Sequence, residues 1–413
     1  MANDNSEYRC RSCCSRGLEP ILSLGDLPLA NSLRSSTQLD LPEPHYPLEV
    51  LFCPGCSLIQ ISEAISPETL YREYAYFSSF SETLLKHAEE VCQSLIQQRL
   101  LTENSRILEI ASNDGYLLQH YQRAGIPVLG IEPATNIATR AEECGIPTVN
   151  EFFGPQFAEQ LLREHGRFDV IHANNVLAHV PDLNGFVRGV KTLLHPNGIT
   201  VIEVPYVLDL IEHNEFDTIY HEHLCYFSLT ALIPLFERHG LQVTDVQQLE
   251  IHGGSLRLSV AHTTAETRSS TEVDRVLEKE QRWGVQRVTT YRKFGKAVER
   301  VKQDLLALLD SLKSKGSRIA VYGASAKGST LLNYCQIGRE RLDYVVDRST
   351  AKQGRFTPGN HLEIFAPERL QQDQPDYVLL LTWNFADEIL AQQQKFRQQG
   401  GQFIIPIPQV TIA

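Results

Sequence analysis

Between residues 107 and 261 short apolar runs alternate with amphipathic stretches of helical period. Ile107–Ile110, Val128–Ile131, Phe168–His172 and Ile199–Val204 are the predicted strands, and strands that alternate with helices build a parallel sheet covered on both faces. The pattern then repeats. Arg318-Ile-Ala-Val-Tyr-Gly-Ala-Ser-Ala-Lys-Gly328 opens a second strand, loop and helix, with Leu342-Asp-Tyr-Val-Val-Asp347 as the next strand and its terminal acid. Between the two units, from Thr271 to Lys315, there is no proline. Tyr291, Phe294, Val298, Val301, Leu305, Leu308 and Leu312 recur there at alternating spacings of three and four, which predicts one apolar stripe on a long helix. The stripe suits the helix's own domains or a second copy of the chain, so monomer and homodimer both stay open, and Gly284 is a point where the helix can break.

The loops at the strand ends carry the chemistry. In Arg106-Ile-Leu-Glu-Ile-Ala-Ser-Asn-Asp-Gly-Tyr116 the first strand runs into small residues, and Val128-Leu-Gly-Ile-Glu-Pro133 ends in an acid. A nucleotide fold needs small residues at that turn for close backbone approach, and a carboxylate about 20 residues on to bind ribose hydroxyls. Ala111, Ser112, Asn113, Asp114 and Gly115 supply the turn and Glu132 the carboxylate. One glycine with two polar residues, where a pyrophosphate loop presents three glycines, favours S-adenosylmethionine, cationic and without phosphate, over NAD. Asn174, Asn175 and His179 follow the Phe168 strand, at the carboxyl end where ligands of open α/β sheets sit. In the second unit Gly323-x-Ser325-x2-Gly328 is a weak dinucleotide signature that also fits a plain tight turn. Lys327, Arg348, Lys352 and Arg355 near its loops point to a phosphorylated ligand, against the plainer reading of solvated charge.

Nine cysteines are many for a chain without a disulfide scaffold, and Cys10-x2-Cys13 with Cys53-x2-Cys56 accounts for four of them. Each pair sets two thiolates on one side of a tight turn, and two such turns close a tetrahedral structural zinc site with no open position for catalysis. Cys14, next to Cys13, leaves one ligand ambiguous by a residue. A net charge of −12 argues against a nucleic-acid partner, since phosphate contacts need a basic face. No apolar run reaches membrane-spanning length and the polar start Met1-Ala-Asn-Asp-Asn-Ser is no signal peptide, so the expected location is cytoplasmic.

Two further segments stand out. From Pro67 to Glu90, Tyr71, Tyr74, Tyr76, Phe77 and Phe80 lie among serines that include Ser78 and Ser79; they read as a helix start on a core or as a substrate-facing lip, tyrosine joining a flat apolar face to a hydrogen-bonding tip. In Tyr220-His-Glu-His223 the histidines are two apart, wrong for the His-Glu-x-x-His of a zinc protease, and Cys225 and Ser228 lack a nucleophile elbow. Acid–base work or a structural cluster remains.

In order, the cysteine hooks, Glu109-Ile-Ala-Ser-Asn-Asp-Gly115, His172-Ala-Asn-Asn-Val-Leu-Ala-His179, Tyr220-His-Glu-His223, His252-Gly-Gly-Ser-Leu-Arg257, Tyr322-Gly-Ala-Ser-Ala-Lys-Gly328 and Pro358-Gly359 run the length of the chain. This arrangement resembles the nucleotide-sugar C-methyltransferases of deoxysugar biosynthesis. The resemblance implies an α/β chain of three parts: a small zinc-binding domain over 1–70, a class I Rossmann-like S-adenosylmethionine methyltransferase domain over 71–265, and a connecting helix with a second Rossmann-like domain over 266–413 that helps hold the nucleotide-linked sugar. It implies methylation of a carbon beside the ketone of a 4-keto-deoxysugar, commonly C3 of a dTDP-sugar. His223 would then be the base, Glu222 and Tyr220 would orient it or bind the enolate, and Tyr76 would bring the lip over the sugar. Ser78, Ser79, His179, Lys327, Lys352 and Arg355 are the further substrate contacts expected. Ala111 stands where many members have glycine, which makes its backbone angle the point to examine. The rivals are a zinc-ribbon methyltransferase for RNA, protein or a small molecule, and an NAD-dependent sugar oxidoreductase using the Gly323 loop.

Overall fold

The computed structural model describes residues 8–72 and 76–413; the polar start and Tyr74 lie outside the described residues. Three sheets organise the chain. The first is antiparallel, from Glu19–Pro28, His45–Phe52 and Ile59–Ile61, and its fourth strand, Cys225–Tyr226, arrives from far along the chain.

The second sheet has seven strands, in the order Leu241–Leu249, Ser255–His262, Leu194–Pro205, Phe168–Asn174, Ile107–Ile110, Val128–Ile131, Thr148–Val149. All pairings from Leu194–Pro205 to Thr148–Val149 are parallel, and the two strands at the other edge are antiparallel. Ile107–Ile110 is buried along its whole length, as a strand covered on both faces must be. Chain order reverses between it and Phe168–Asn174, and a crevice opens at such a switch point beyond the carboxyl ends of the strands. The third sheet repeats the plan in six strands: Ile364–Phe365, Val345–Val346, Ile319–Tyr322, Tyr377–Leu380, Gln402–Ile405 and an antiparallel Thr411–Ile412. Its second strand is only Val345–Val346, shorter than the apolar run from Leu342 suggests.

The predicted connecting helix is two helices, Thr271–Trp283 and Val288–Ser314, broken where Gly284 takes the left-handed conformation at φ 93°. The whole apolar stripe falls on the second. Its buried side chains are Tyr291, Phe294, Val298, Val301, Leu305, Leu309 and Leu312; Leu309 takes the place expected of Leu308, which is only partly buried. The stripe packs on the chain's own first sheet, with the Tyr291 ring 5.3 Å from that of Phe52. Gly295 lets the helix approach, since a Cβ there would lie 3.3 Å from the Ile21 carbonyl oxygen. Each large apolar side chain buried this way contributes about 2 kcal/mol. Among the described residues no helix is long and apolar enough to cross a membrane.

Candidate functional site

Cys10, Cys13, Cys53 and Cys56 bring their sulfurs within 4.8 Å of one another, with Cys10–Cys56 and Cys13–Cys53 separations of 3.5 Å. Zinc–sulfur bonds of about 2.3 Å in a tetrahedron give edges of about 3.8 Å, so the four thiols fit a structural zinc ion. The hooks are built alike. In each the residue after the second cysteine is left-handed, Cys14 at φ 61° and Ser57 at φ 63°, and its N–H returns to the carbonyl of the first, Cys14 to Cys10 and Ser57 to Cys53. Cys13 is therefore the thiol that joins the other three, while Cys14 is exposed.

At the switch point of the second sheet Ala111, Asn113 and Gly115 all have positive φ, 55°, 49° and 79°. Asparagine and glycine accept this readily; at Ala111 it costs about 1 kcal/mol. Glu132 holds the loop, one oxygen accepting from Asn113 N–H and the other from Ala134 N–H, both at 2.9 Å. Burial pushes its carboxyl up to about 7 despite those donors. Buried polar atoms here have no hydrogen-bond partner among the described residues: the acceptors Asp114 Oδ1, Asn174 Oδ1 and Asn175 Oδ1, together with Glu109 Oε2 and the Ser112 hydroxyl. Burial raises Glu109 well above the usual carboxylate range, and the carboxylates of Glu132, Asp114 and Glu203 raise it further. Buried acceptors call for a ligand that donates. The ammonium and ribose hydroxyls of S-adenosylmethionine fit that demand, its sulfonium adds positive charge without a polar hydrogen, and a pyrophosphate does not fit.

The predicted lip is fastened to this loop. Ser78 N–H donates to Asn113 Oδ1 at 2.8 Å and Ser79 N–H to Asp114 Oδ2 at 3.3 Å, while Asn113 Nδ2 donates to the Tyr76 carbonyl at 3.2 Å. Tyr76 itself is 48% exposed and the Phe80 beyond it 77%.

Across the crevice, Tyr220, Glu222, His223 and His179 come together. A carbonyl can only accept, so the 2.8 Å contact of His223 Nδ1 with the Thr218 oxygen puts the proton on Nδ1. Nε2 then carries the lone pair of the neutral ring, 3.0 Å from the Tyr220 hydroxyl. His179 packs edge-on against His223 at 4.9 Å. Its Nδ1–H and the Tyr71 hydroxyl both donate to the Glu222 carbonyl, at 2.7 and 3.0 Å. Burial lowers His179 to about 4, so it is neutral at pH 7. The buried Glu222 side chain accepts from Asn31 Nδ2 of the zinc-bearing segment at 2.7 Å.

The cations of the second unit do not act as one cluster. Lys327 Nζ lies 4.7 Å from the centre of the Trp383 ring and faces Glu215 and Asp217. Lys352 Nζ donates to the Ala324 carbonyl at 2.8 Å, Arg348 lies 3.8 Å from Glu388, and Arg355 is exposed.

A triad around the buried Glu203 carries no motif in the sequence: Glu203 accepts from Arg257 Nε at 2.6 Å and from His87 Nε2 at 2.9 Å. Burial pushes Glu203 up, but His87 and Arg257 outweigh it and leave the carboxyl lowered. Its signal was one acid inside the apolar run Ile199–Val204, opposite Asn174 on one side and Arg257 on the other.

Residues 10–71 match a family described as "Putative zinc binding domain", 84–246 one described as "Methyltransferase domain" and 250–408 one described as "C-methyltransferase C-terminal domain". C-methyltransferase NovU of Streptomyces niveus is 35% identical over 400 residues, 97% of this chain and 95% of NovU. A ubiquinone biosynthesis O-methyltransferase of Methylobacterium sp. (strain 4-46) is 28% identical over 38% of this chain and 68% of its own length. A solved S-adenosylmethionine-dependent methyltransferase of Clostridium acetobutylicum ATCC 824 covers 44% of this chain and 92% of its own at 12% identity, with a TM-score of 0.36. The likeness to NovU spans the metal hooks, the cofactor crevice and the C-terminal unit together, and the chain belongs to the NovU family of S-adenosylmethionine-dependent C-methyltransferases.

Proposed function

We propose that the acceptor is a nucleotide-linked 4-keto-deoxysugar, methylated beside its ketone, at C3 of a dTDP-sugar, through an enolate that His223 generates. What supports this is the fixed tautomer of His223, which turns the basic Nε2 toward the Tyr220 hydroxyl at 3.0 Å. A carbon beside a ketone becomes nucleophilic once its proton is removed, and the enolate oxygen then needs a donor. His223 Nε2 takes the C3 proton, and as an imidazolium it can no longer accept from Tyr220. The hydroxyl is thereby released to donate to the enolate oxygen. S-adenosylmethionine, held by Ala111 to Gly115, Glu132, Asn174, Asn175 and His179, supplies an electrophilic methyl group. The carbon would take that methyl as its bond to the sulfonium sulfur breaks and S-adenosylhomocysteine leaves, the ketone would re-form, and His223 would return its proton to solvent. Glu222, with Asn31 on its carboxylate, orients the cluster, and Tyr76, Ser78, Ser79 and His179 line the sugar side.

We assign the labour to the expected parts: metal-held support to 1–70, cofactor and base to 71–265, and nucleotide binding to 266–413, where the exposed Arg355 is the candidate cation. The setting is cytoplasmic, where nucleotide sugars are made. The test is mass spectrometry of nucleotide-linked 4-keto sugars after incubation with the protein and cofactor in deuterated buffer. A product heavier by one methyl is expected, with deuterium exchange beside the ketone that stops in His223→Ala and His223→Gln. Near-normal turnover in both variants would remove the base assignment, and no methyl gain on any 4-keto sugar would remove the substrate class.

A further inference from the structure

Among the described residues the C-terminal unit reaches the acid–base cluster at a short turn. Phe216–Thr218 is a single 3-10 turn, buried at every residue. Its Thr218 carbonyl is the acceptor that fixes His223 Nδ1 at 2.8 Å. One residue earlier, Asp217 Oδ2 accepts from Trp383 Nε1–H at 2.7 Å, a bond 166 residues long in sequence. The Phe216 ring lies 5.4 Å from that of Tyr334 on the helix Ala326–Cys335. Burial pushes the Asp217 carboxyl up to about 6, and Lys327 of the same helix, over the Trp383 ring at 4.7 Å, offsets part of that rise. Every grip on the turn from that side belongs to the unit carrying the Gly323 loop.

We infer that Asp217 and Trp383 are positioning residues for His223: their hydrogen bond sets the 216–218 turn so that the Thr218 carbonyl holds the imidazole with Nε2 toward the sugar. This rests on His223 being the base. Neither residue touches the reacting atoms, and the bond acts through one backbone carbonyl. A displacement of about 1 Å at a catalytic group can cost on the order of a hundredfold in rate.

Trp383→Phe keeps a ring beneath Lys327 and deletes the N–H. With a dTDP-linked 4-keto-6-deoxy sugar as probe, kcat and deuterium exchange beside the ketone should fall together by about tenfold. The KM for the sugar and the Kd for S-adenosylmethionine should stay within about twofold, because binding groups are untouched. Asp217→Leu should match it, Asp217→Asn, which keeps an acceptor oxygen, should recover most of the rate, and Trp383→Phe with Asp217→Leu should be no slower than Asp217→Leu alone. If Trp383→Phe loses cofactor binding through misfolding, Asp217→Leu and Asp217→Asn make the same test from the other end of the bond. Unchanged exchange in Trp383→Phe, or additive losses in the double variant, would overturn the inference while exchange still required His223. Exchange that survives His223→Ala would bring down the base assignment and this inference together.

Discussion

The loop after the first strand is tied down in the same way in both Rossmann-like sheets. In the middle sheet Glu132 accepts from Asn113 N–H and from Ala134 N–H two residues on. In the C-terminal sheet Asp347 accepts from Ala324 N–H at 2.7 Å and from Ser349 N–H, again two residues on, at 2.8 Å. The surroundings then diverge. The middle loop faces a crevice of unpartnered acceptors. The C-terminal loop is filled by its own chain: a Cβ at Gly323 would lie 2.7 Å from Thr382 and one at Gly328 2.6 Å from Leu381, while Lys352 Nζ caps the Ala324 carbonyl. A shared plan fixes where a ligand can sit, and the side chains at the strand ends decide what charge it carries.

Removing the two acids should separate the loops most sharply. Glu132→Ala should weaken S-adenosylmethionine binding by about a hundredfold in calorimetry, because the Asn113 N–H of the loop and the Ala134 N–H beyond it lose their acceptor; Asp347→Ala should leave it within about threefold, since its loop belongs to the other sheet. Equal losses would erase the distinction. Next in size, Gly323→Ala should lower stability by about 2 kcal/mol in denaturant unfolding, from the left-handed backbone at φ 99° and the Thr382 contact together.

The Glu132 carboxyl, raised to about 7, gives a smaller and more specific effect. A cation prefers its ionised form, so cofactor affinity should rise about tenfold between pH 6 and 8 and become flat in Glu132→Gln. The sign for the fold without cofactor is opposite. An acid whose folded pKa is raised adds stability below its unfolded value and loses it as pH climbs through about 7. Smallest is Ala111→Gly, expected to change stability by less than about 1 kcal/mol and to keep cofactor binding, relief of the φ 55° strain offsetting the extra freedom of the unfolded chain.

What the sequence made legible was local. The hooks, the loop from Ala111 to Gly115 and the acid at Glu132 each lie within one turn or one strand, where spacing alone determines geometry. Cys13 is told from Cys14 by a backbone angle and the sulfur positions that follow from it, and Leu309 from Leu308 by where the helix meets the sheet. Sequence proximity grouped Lys327 with Lys352 and Arg355, but a lysine's direction depends on its neighbours, and Lys327 turns toward Asp217 and Trp383. Asp217–Trp383, Glu222–Asn31 and the His87–Glu203–Arg257 triad were beyond reach for one reason: the partners sit on elements that only the finished fold brings together.

Cys225–Tyr226 begins two residues after His223 and pairs with Ile59–Ile61, the strand that follows the second cysteine hook. The sheet beside the four cysteines therefore takes in, by hydrogen bonding, a strand covalently continuous with the His223 segment. A scissile boundary near residue 70 would strand that edge, leaving Cys225 and Tyr226 without their ladder beside the imidazole. Exchanging the zinc region between relatives would also change the strand that Cys225 and Tyr226 pair with, and protein prepared short of metal should show its loss first in the segment around His223.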